Sequence, residues 1–208
     1  PFMLIEGMTI AGLAVGANQG YIYLRSEYPI AHHILNKAIE TAYQQGYLGN
    51  NIRGSQKQFD LEVRLGAGAY ICGEETSLLD SLEGKRGLVR AKPPLPAIVG
   101  LFGKPTVVNN VLSLAAIPYI LDKGGQAYAD YGVGRSRGTM PIQLAGNVKN
   151  GGLVELAFGI PLNQLMNEFG RGTRSGRPLK AVQVGGPLGA YLPESQWHTV
   201  IDYEAFSS

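Results

Sequence analysis

The chain has 208 residues, of which 45% are apolar, and a formal net charge of +2. This length allows one large domain or two modest ones with a real core, and the near-neutral charge does not favour broad nucleic-acid binding. No apolar run approaches the length of a bilayer-spanning helix, and no secretory signal is visible. The single cysteine, Cys72, excludes a disulfide framework within the chain and a self-contained iron–sulfur site, which favours a reducing compartment.

The first half of the chain predicts alternating helices and strands. Leu4 to Ala17 is predicted as a helix whose glycines lower helicity but let a neighbouring element pack closely. Tyr21 to Arg25 is rich in strand formers, and Pro29 suits the first position of the helix that follows. Asp60 to Leu65 alternates as a second strand, before a glycine turn and a short helix over Glu74 to Leu82. This order indicates part of a βαβ layout with a parallel sheet.

Further along, the sequence predicts two more elements before a boundary. Lys92 to Pro96 is predicted as an extended segment because of its prolines. Val111 to Leu121 is predicted as an apolar helix, with Asn109 or Asn110 as its N-cap. The pattern then changes near Tyr131 to Gly138, where a domain boundary is expected.

The last seventy or so residues are predicted to form a small α+β domain. Met140 to Ala145 and Gly152 to Leu156 are predicted as two strands of a hairpin. A short amphipathic helix carries Leu162, Leu165, Met166 and Phe169 on its apolar face. Leu179 to Val184 is predicted as a third strand.

The segment from Gly66 to Ser77 carries the most chemistry. A glycine turn between a strand and a helix lets backbone N–H groups approach a ligand, but the glycine spacing is not that of the dinucleotide-binding fingerprint. Glu74 and Glu75 at the helix start suit the helix dipole, which explains two acids in isolation. In this context they would repel a phosphate and fit recognition of ribose or ribityl hydroxyls, which disfavours a nucleotide with a 2′-phosphate.

Several other residues have both a structural and a functional interpretation. Tyr70 fits a core aromatic or a ring near a flavin, and Cys72 fits a small buried residue better than a nucleophile. Lys92 lies in a basic segment that is typical of a solvated face, although the following prolines could hold it toward a phosphate. The second asparagine of Asn109-Asn110 could donate to a phosphate or a ribityl oxygen. The adjacent histidines His32 and His33 face different directions on a helix, which disfavours a metal site.

Taken together, these segments resemble the flavoprotein subunit of respiratory complex I and its relatives in NAD-reducing hydrogenases and NAD-dependent formate dehydrogenases. The resemblance covers essentially the whole chain, and its Gly66 to Ser81 segment is highly specific. The motifs that carry it are Glu6-Gly7-Met8, Gly20 to Arg25 with Glu27-Tyr28, Gly66 to Ser77, Ser81 to Gly87, Lys92-Pro93-Pro94 and Gly103 to Asn110.

The resemblance implies an α/β fold with two domains. Residues 1–132 would be the C-terminal part of a Rossmann-like domain that binds FMN and NADH, and residues 133–208 a small α+β β-grasp domain of the soluble-ligand-binding type. The expected cofactor-binding residues are Gly66, Gly68, Tyr70, Gly73, Glu74, Glu75, Val108, Asn109 and Asn110. Glu75 and Lys92 would lie at the nucleotide substrate.

The implied activity is hydride transfer between NAD(H) and FMN, with electrons passed to iron–sulfur clusters. The expected partners are a thioredoxin-like 2Fe-2S subunit and other redox subunits of a complex that is cytoplasmic or attached to the cytoplasmic face of a membrane. The family's first glycine-rich loop is expected before Pro1 and its four-cysteine domain, which holds a 4Fe-4S cluster, after Ser208. The isolated chain is therefore expected to be an inactive fragment.

Two departures and one subfamily signal accompany the resemblance. Leu95 stands where many relatives have a phenylalanine that would stack on the adenine, and Leu112 stands where many have a glutamate. Lys92 to Ala97 and Gly185 to Pro193 look most like formate dehydrogenase beta subunits. The competing interpretation is a non-catalytic module that holds partner redox subunits, while a free-standing Rossmann dehydrogenase is disfavoured by the glycine spacing.

Overall fold

The structure is a computed structural model that describes residues 1–206. Ser207 and Ser208, the last residues of the predicted second domain, lie outside the described residues. The chain divides into two compact units, Pro1–Tyr119 and Ile120–Ser208. Both contain helices and strands, so the chain has a mixed helix and strand fold. The predicted boundary between residues 132 and 133 stays a prediction.

The first unit is built around a pair of parallel strands. Its elements are α1 Phe2–Val15, β1 Gln19–Leu24, α2 Pro29–Gln44, β2 Asp60–Leu65, α3 Glu75–Leu82 and α4 Val111–Lys123, of which the last extends beyond Tyr119. β1 and β2 pair in parallel, with Gln19 opposite Asp60 and Leu24 opposite Leu65. A parallel pair needs a crossover connection, and α2 supplies it. The predicted βαβ unit is confirmed.

Local sequence signals explain where the helices begin. Pro29 occupies the first turn of α2, where its missing N–H would have no intrahelical partner. Asn110 precedes α4, and its Oδ1 accepts a hydrogen bond of 2.8 Å from the backbone N–H of Leu112. Of the two predicted N-caps for α4, Asn110 is therefore the one that provides side-chain capping.

The core of the first unit closes around Phe59, which is 2% exposed. A Cβ atom added to Gly12 of α1 would lie 2.4 Å from Phe59 Cε2, and one added to Gly20 of β1 would lie 2.7 Å from Phe59 Cζ. The two glycines therefore let α1 and β1 approach the ring more closely than any other residue would allow. The other buried members of this core are Ile5, Ile22, Ala38, Ile39, Ala42, Leu48, Ile52 and Leu61.

The proline segment differs from its prediction. Lys92 to Pro94 forms a bend rather than an extended stretch, and both the Lys92-Pro93 and Pro93-Pro94 peptide bonds are cis. The prediction assumed trans peptides and the polyproline geometry that such peptides favour.

The second unit consists of short antiparallel hairpins and short helical segments. Its elements are α5 Gly125–Ala129, β3 Gly132–Val133, β4 Ser136–Arg137, β5 Thr139–Leu144, β6 Gly152–Ala157, α6 Leu162–Gln164, β7 Ala181–Val184 and β8 Ala190–Pro193. The predicted hairpin is confirmed as β5 and β6. The predicted third strand, β7, pairs with β8, which the sequence did not indicate. Each hairpin forms its own two-stranded sheet.

A second core lies under the helical segment of this unit. α6 continues into a wider π-helical turn, Leu165–Phe169, and the predicted apolar face is confirmed because Leu162 and Leu165 are 1% and 2% exposed. The other buried members of this core are Leu144, Val148, Met166, Leu192 and Ile201. Among residues 1–206, every helix is too short or too polar to cross a membrane.

Candidate functional site

An open cleft of about 490 Å³ lies where the two parallel strands of the first unit end. Arg25 directly follows β1 and Gly66 directly follows β2, so the cleft is at the carboxyl ends of both strands. Ligands of open parallel sheets bind at this edge. The lining residues are Tyr23, Arg25, Glu27, Gly66, Gly68, Ala69, Tyr70, Ile71, Cys72, Gly73, Glu74 and Leu78.

Glycines give the cleft its open floor. Gly68 has a φ of 87°, and neither Gly68 nor Gly73 has any atom within 4 Å of the position that a Cβ would take. Side chains at these two positions would project into free space beside the turn. Gly66 has a different role, because its missing Cβ makes room for the Tyr23 hydroxyl, which would lie 2.7 Å away. That hydroxyl is 2.9 Å from Ser81 Oγ and so links β1 to α3.

Glu74 is the N-cap of α3. Its Oε2 accepts hydrogen bonds from the Thr76 hydroxyl at 2.6 Å and from the backbone N–H groups of Thr76 and Ser77, both at 2.9 Å. The Thr76 hydroxyl, followed by the Ser77 N–H, lowers the pKa of Glu74 from 4.5 to about 2. The interpretation that this acid stabilises the start of the helix is therefore confirmed, and the atom that does so is Oε2. Oε1 accepts none of these bonds and lies 3.8 Å from Lys92 Nζ.

Glu75 forms an ion pair and hydrogen bond with Lys92. This contact raises the pKa of Lys92, with burial opposing it. Lys92 is exposed, as expected for a solvated face, and its ammonium is also paired with Glu75 and lies near Glu74. The alternative, that Lys92 contacts a phosphate, stays a prediction, and in this structure its ammonium is directed to the two acids.

Two more cations of the basic segment, Lys85 and Arg90, pair with acids in α3 or directly after it. Arg90 donates to Asp80 Oδ1 through Nε at 2.9 Å and through Nη2 at 2.5 Å, and Nη2 lies 3.4 Å from Glu83. Lys85 Nζ pairs with Glu83 at 2.7 Å. The backbone N–H of Arg90 donates to the Thr76 hydroxyl at 2.9 Å. The segment therefore folds back on the helix that borders the cleft.

The predicted cofactor-binding residues fall into two groups. Gly66, Gly68, Tyr70, Gly73 and Glu74 all line the cleft, whereas Glu75 is the next residue after Glu74 and is not part of the lining. The second group does not line it: Asn109 and Asn110 are exposed at the start of α4, and Val108 is partly buried just before them. The structure does not bring these three residues to the cleft wall.

The exposed fractions of Tyr70 and Cys72 decide between the two interpretations that the sequence allowed for each residue. Tyr70 is 92% exposed, so it is an aromatic wall of the cleft and not a core residue. Cys72 is 4% exposed and is a free cysteine, as expected for a small buried side chain.

Sequence reasoning missed the contribution of β1 to the cleft. Tyr23, Arg25 and Glu27 line it opposite the glycine turn, and Arg25 Nη2 pairs with Glu27 Oε1 at 2.9 Å. The signal was present, because two adjacent parallel strands end at the same edge of the sheet. Within residues 1–206, no group of three or more His, Cys, Asp or Glu side chains is placed to hold a metal ion.

A strand-end cleft with a glycine floor and acids at the following helix start is the form of a nucleotide- or flavin-binding α/β unit. The sequence model of the family described as Nuo51 FMN-binding domain matches residues 1–119, which is the whole first unit. The chain belongs to this family.

Named relatives agree with this membership. The chain is 45% identical over 208 residues to the NADP-reducing hydrogenase subunit HndC of Solidesulfovibrio fructosivorans, covering all of this chain and 42% of that protein. It is 43% identical over 208 residues to an NADH-quinone oxidoreductase subunit of Rhizobium meliloti, covering all of this chain and 49% of that protein. The chain thus spans less than half the length of these curated relatives.

The fold is also similar to a solved structure. The NAD+-reducing [NiFe]-hydrogenase in its H2-reduced state matches with a TM-score of 0.77 and 37% identity, over 97% of this chain and 34% of that one. The resemblance inferred from the sequence motifs is therefore confirmed at the level of the family.

Proposed function

We propose that this chain forms part of the flavoprotein subunit of an NAD(H)-dependent oxidoreductase, and that the strand-end cleft holds FMN. When bound, FMN supplies the hydride acceptor for NADH. The main observation behind this proposal is the cleft itself. Its volume of about 490 Å³ is within the range of roughly 300–1,000 Å³ that is typical of cofactor sites. Family membership of the whole first unit supports the same proposal.

The residues of the cleft fit a flavin. The open faces of Gly68 and Gly73 allow a planar ring or a ribityl chain to lie against the backbone. Tyr70 offers an exposed aromatic face. Glu74 keeps Oε1 as an acceptor for a hydroxyl group, because only Oε2 is used in capping α3. Val108, Asn109 and Asn110 are proposed to complete the flavin contacts.

The charges at the cleft support NAD(H) over its phosphorylated form. Glu75 and Glu74 place two carboxylates at the start of α3, and these accept hydrogen bonds from ribose hydroxyls but repel a 2′-phosphate. Lys92 is already paired with Glu75 and so offers little free positive charge. The relative HndC is named as an NADP-reducing hydrogenase subunit, so kinetics with both nucleotides are the direct test of this preference.

The wider assembly is part of the same proposal. Electrons would leave through a 4Fe-4S cluster of the intact subunit to a thioredoxin-like 2Fe-2S subunit and further redox subunits, in the cytoplasm or at the cytoplasmic face of a membrane. The first unit would be Rossmann-like and the second a β-grasp domain. The finer assignment, a formate dehydrogenase beta subunit, is supported by the Lys92 to Ala97 and Gly185 to Pro193 motifs alone. The relatives named above are hydrogenase and quinone oxidoreductase subunits.

A single glycine substitution tests the flavin site. Gly73 has an ordinary backbone φ and open space at its Cβ position, so Gly73→Val fits the fold and fills the cleft. Gly125 has the same two properties but is outside the cleft, and Gly125→Val is therefore the matched control. In the protein that contains this chain, G73V should weaken FMN binding at least ~10-fold, equivalent to about 1.4 kcal/mol. Quenching of flavin fluorescence measures it.

Two outcomes would contradict the proposal. One is that the unsubstituted protein binds no FMN. The other is that G73V and G125V bind FMN equally well. The competing function, a non-catalytic module that holds redox subunits, predicts normal assembly of the complex without any flavin spectrum.

A further inference from the structure

The second unit has a cleft of its own, of about 450 Å³, and its walls are positively charged. Three of its lining residues are cations, namely Lys149, Arg171 and Arg177, and no carboxylate of the described residues lines it. The other lining residues are Asn167, Gly172, Thr173, Gly176, Pro178, Leu179 and Trp197.

The charge of this cleft is concentrated in one short segment. Residues 170–180 contain Arg171, Arg174, Arg177 and Lys180 and no acid, in a chain whose net charge is only +2. Arg174 Nε donates to the carbonyl of Val148 at 3.0 Å and is used inside the fold. The three cations of the cleft wall are exposed and form no ion pair with any carboxylate of the described chain. By contrast, Lys85, Arg90 and Lys92 in the first unit all have acidic partners.

The cations are held near one another by backbone contacts between two loops. The Lys149 N–H donates to Gly172 O at 2.8 Å, and the Asn150 N–H donates to Gly170 O at 2.9 Å. The Thr173 hydroxyl donates to Arg177 O at 2.5 Å and closes the turn that carries Arg177. The cluster is therefore built into the loop structure.

Trp197 fixes the side of the cleft next to the core. Its Nε1 donates to Leu192 O at 3.0 Å, and its backbone carbonyl accepts from the Asn163 N–H at 2.9 Å. The indole is partly buried, so its polar edge is satisfied while part of the ring remains at the cleft. An aromatic surface surrounded by unpaired cations is suited to a ligand that combines acidic groups with apolar carbon.

We infer that this basic cleft is a docking site for an acidic polypeptide segment of a partner protein. Charge complementarity carries the inference, since three unpaired cations face a cleft that the described carboxylates do not enter. The inference deepens the partner part of the proposed function, on which it rests, but it concerns the second unit and involves no flavin. The named relatives are subunits, which supports the existence of a partner chain.

The chain carries its own reporter for this site. Trp197 is the only tryptophan among 208 residues, so emission excited in the tryptophan band reports on the cleft. The probe is a peptide of about eight residues, rich in glutamate and free of aromatics, which spans roughly 26 Å when extended. The comparison peptide has glutamine in place of every glutamate. A saturable change in emission is expected with the acidic peptide alone, and the midpoint should rise with salt.

A pair of double variants tests the contribution of the cluster. R171Q/R177Q should weaken binding of the acidic peptide roughly two- to thirtyfold, as expected for two exposed ion pairs. K37Q/K57Q removes the same charge from two exposed lysines that do not line the cleft and should leave binding unchanged. If R171Q/R177Q fails to fold, K149Q tests the same wall, because the Lys149 side chain makes no hydrogen bond in the described structure.

Three results would overturn the inference. The acidic peptide produces no saturable change; or the K37Q/K57Q variant loses as much affinity as R171Q/R177Q; or inorganic pyrophosphate changes Trp197 emission at lower concentration than the peptide, which would make this a small-phosphate site. None of these readouts depends on FMN, so failure here is distinguishable from failure of the flavin proposal.

Discussion

The Thr76 hydroxyl donates a 2.6 Å hydrogen bond to Glu74 Oε2, two residues earlier in the chain. The same hydroxyl accepts from the Arg90 backbone N–H at 2.9 Å. One buried oxygen thus joins the cap of α3 to the basic segment that folds back on it. The Thr76 hydroxyl therefore holds both the Glu74 carboxylate at the cleft and the segment that carries Lys92.

The first prediction concerns the acid dependence of this cap. The pKa of Glu74 falls from 4.5 to about 2 on folding, because the Thr76 hydroxyl and the Ser77 N–H favour the ionised form. A group with a lowered folded pKa stabilises the fold above its unfolded pKa, and this contribution is lost as pH falls toward the folded value. Glu74→Ala should therefore cost about 1 kcal/mol of unfolding free energy at pH 7. The difference from the unsubstituted chain should shrink between roughly pH 4.5 and pH 2.

Denaturant titrations at several pH values measure this difference. Glu62→Ala is the control, because the Glu62 side chain on β2 is 41% exposed and, within residues 1–206, forms an ion pair only with Arg64. A deficit for E74A that stayed constant down to pH 2 would argue against the ionised cap.

The second prediction concerns the choice of nucleotide. Glu75→Gln removes a carboxylate that repels a 2′-phosphate and also releases Lys92 from its ion pair. In the intact oxidoreductase, the ratio of kcat/KM for NADPH to that for NADH should rise roughly tenfold, which corresponds to about 1.4 kcal/mol. Steady-state kinetics with both nucleotides measure the ratio, and Glu62→Gln is the control. An unchanged ratio in E75Q would remove Glu75 from this role.

The third prediction concerns the ion pair between Arg90 and Asp80. Asp80 is 9% exposed, so Arg90→Met leaves a nearly buried carboxylate without its partner. The expected loss of unfolding free energy is about 2–4 kcal/mol. The double variant D80N/R90M should be more stable than R90M, because the uncompensated charge is gone. Arg64→Met, which breaks an exposed pair with Glu62, should change stability by less than about 1 kcal/mol.

Circular dichroism during urea unfolding measures the stability of these variants. If D80N/R90M were no more stable than R90M, the cost would lie in lost packing of the arginine and not in the buried charge.

The fourth prediction concerns the core of the second unit. Leu162 is 1% exposed beneath the hairpins, so Leu162→Ala should cost about 2–5 kcal/mol through lost burial and the cavity left behind. Leu153 on β6 is 69% exposed, and Leu153→Ala should have little effect. Urea unfolding followed by Trp197 emission reports on this unit directly. Equal midpoints for the two variants would contradict the assigned core.

Most helices and strands could be predicted because their signals are local. Pro29 marked the start of α2, and period-two alternation gave both ends of β2 as Asp60 and Leu65. β8 could not be predicted, since Ala190–Pro193 is only four residues long and follows glycines, and its strand character depends on pairing with β7. The wider turn Leu165–Phe169 likewise follows from packing and not from residue spacing.

The cleft was predictable on one wall only. The glycine turn and Glu74 are contiguous in the sequence, so their proximity was evident. The partners of Lys92 could not be predicted, because Lys92 and Glu75 are seventeen positions apart and the sequence does not show how the chain between them folds. Arg25 was missed for a similar reason: its place opposite the turn depends on the register between β1 and β2.

The Phe59 ring fills the space that side chains at Gly12 and Gly20 would otherwise occupy, although the three positions are far apart in the sequence. A methyl group added at either glycine would overlap the ring, so a larger residue there requires a smaller one at position 59. Substitutions at these sites should consequently be tolerated in compensating pairs and rejected singly. In the family to which this chain belongs, the three positions are expected to vary together. A relative with a larger residue on the helix or the strand should have a smaller residue in place of the phenylalanine.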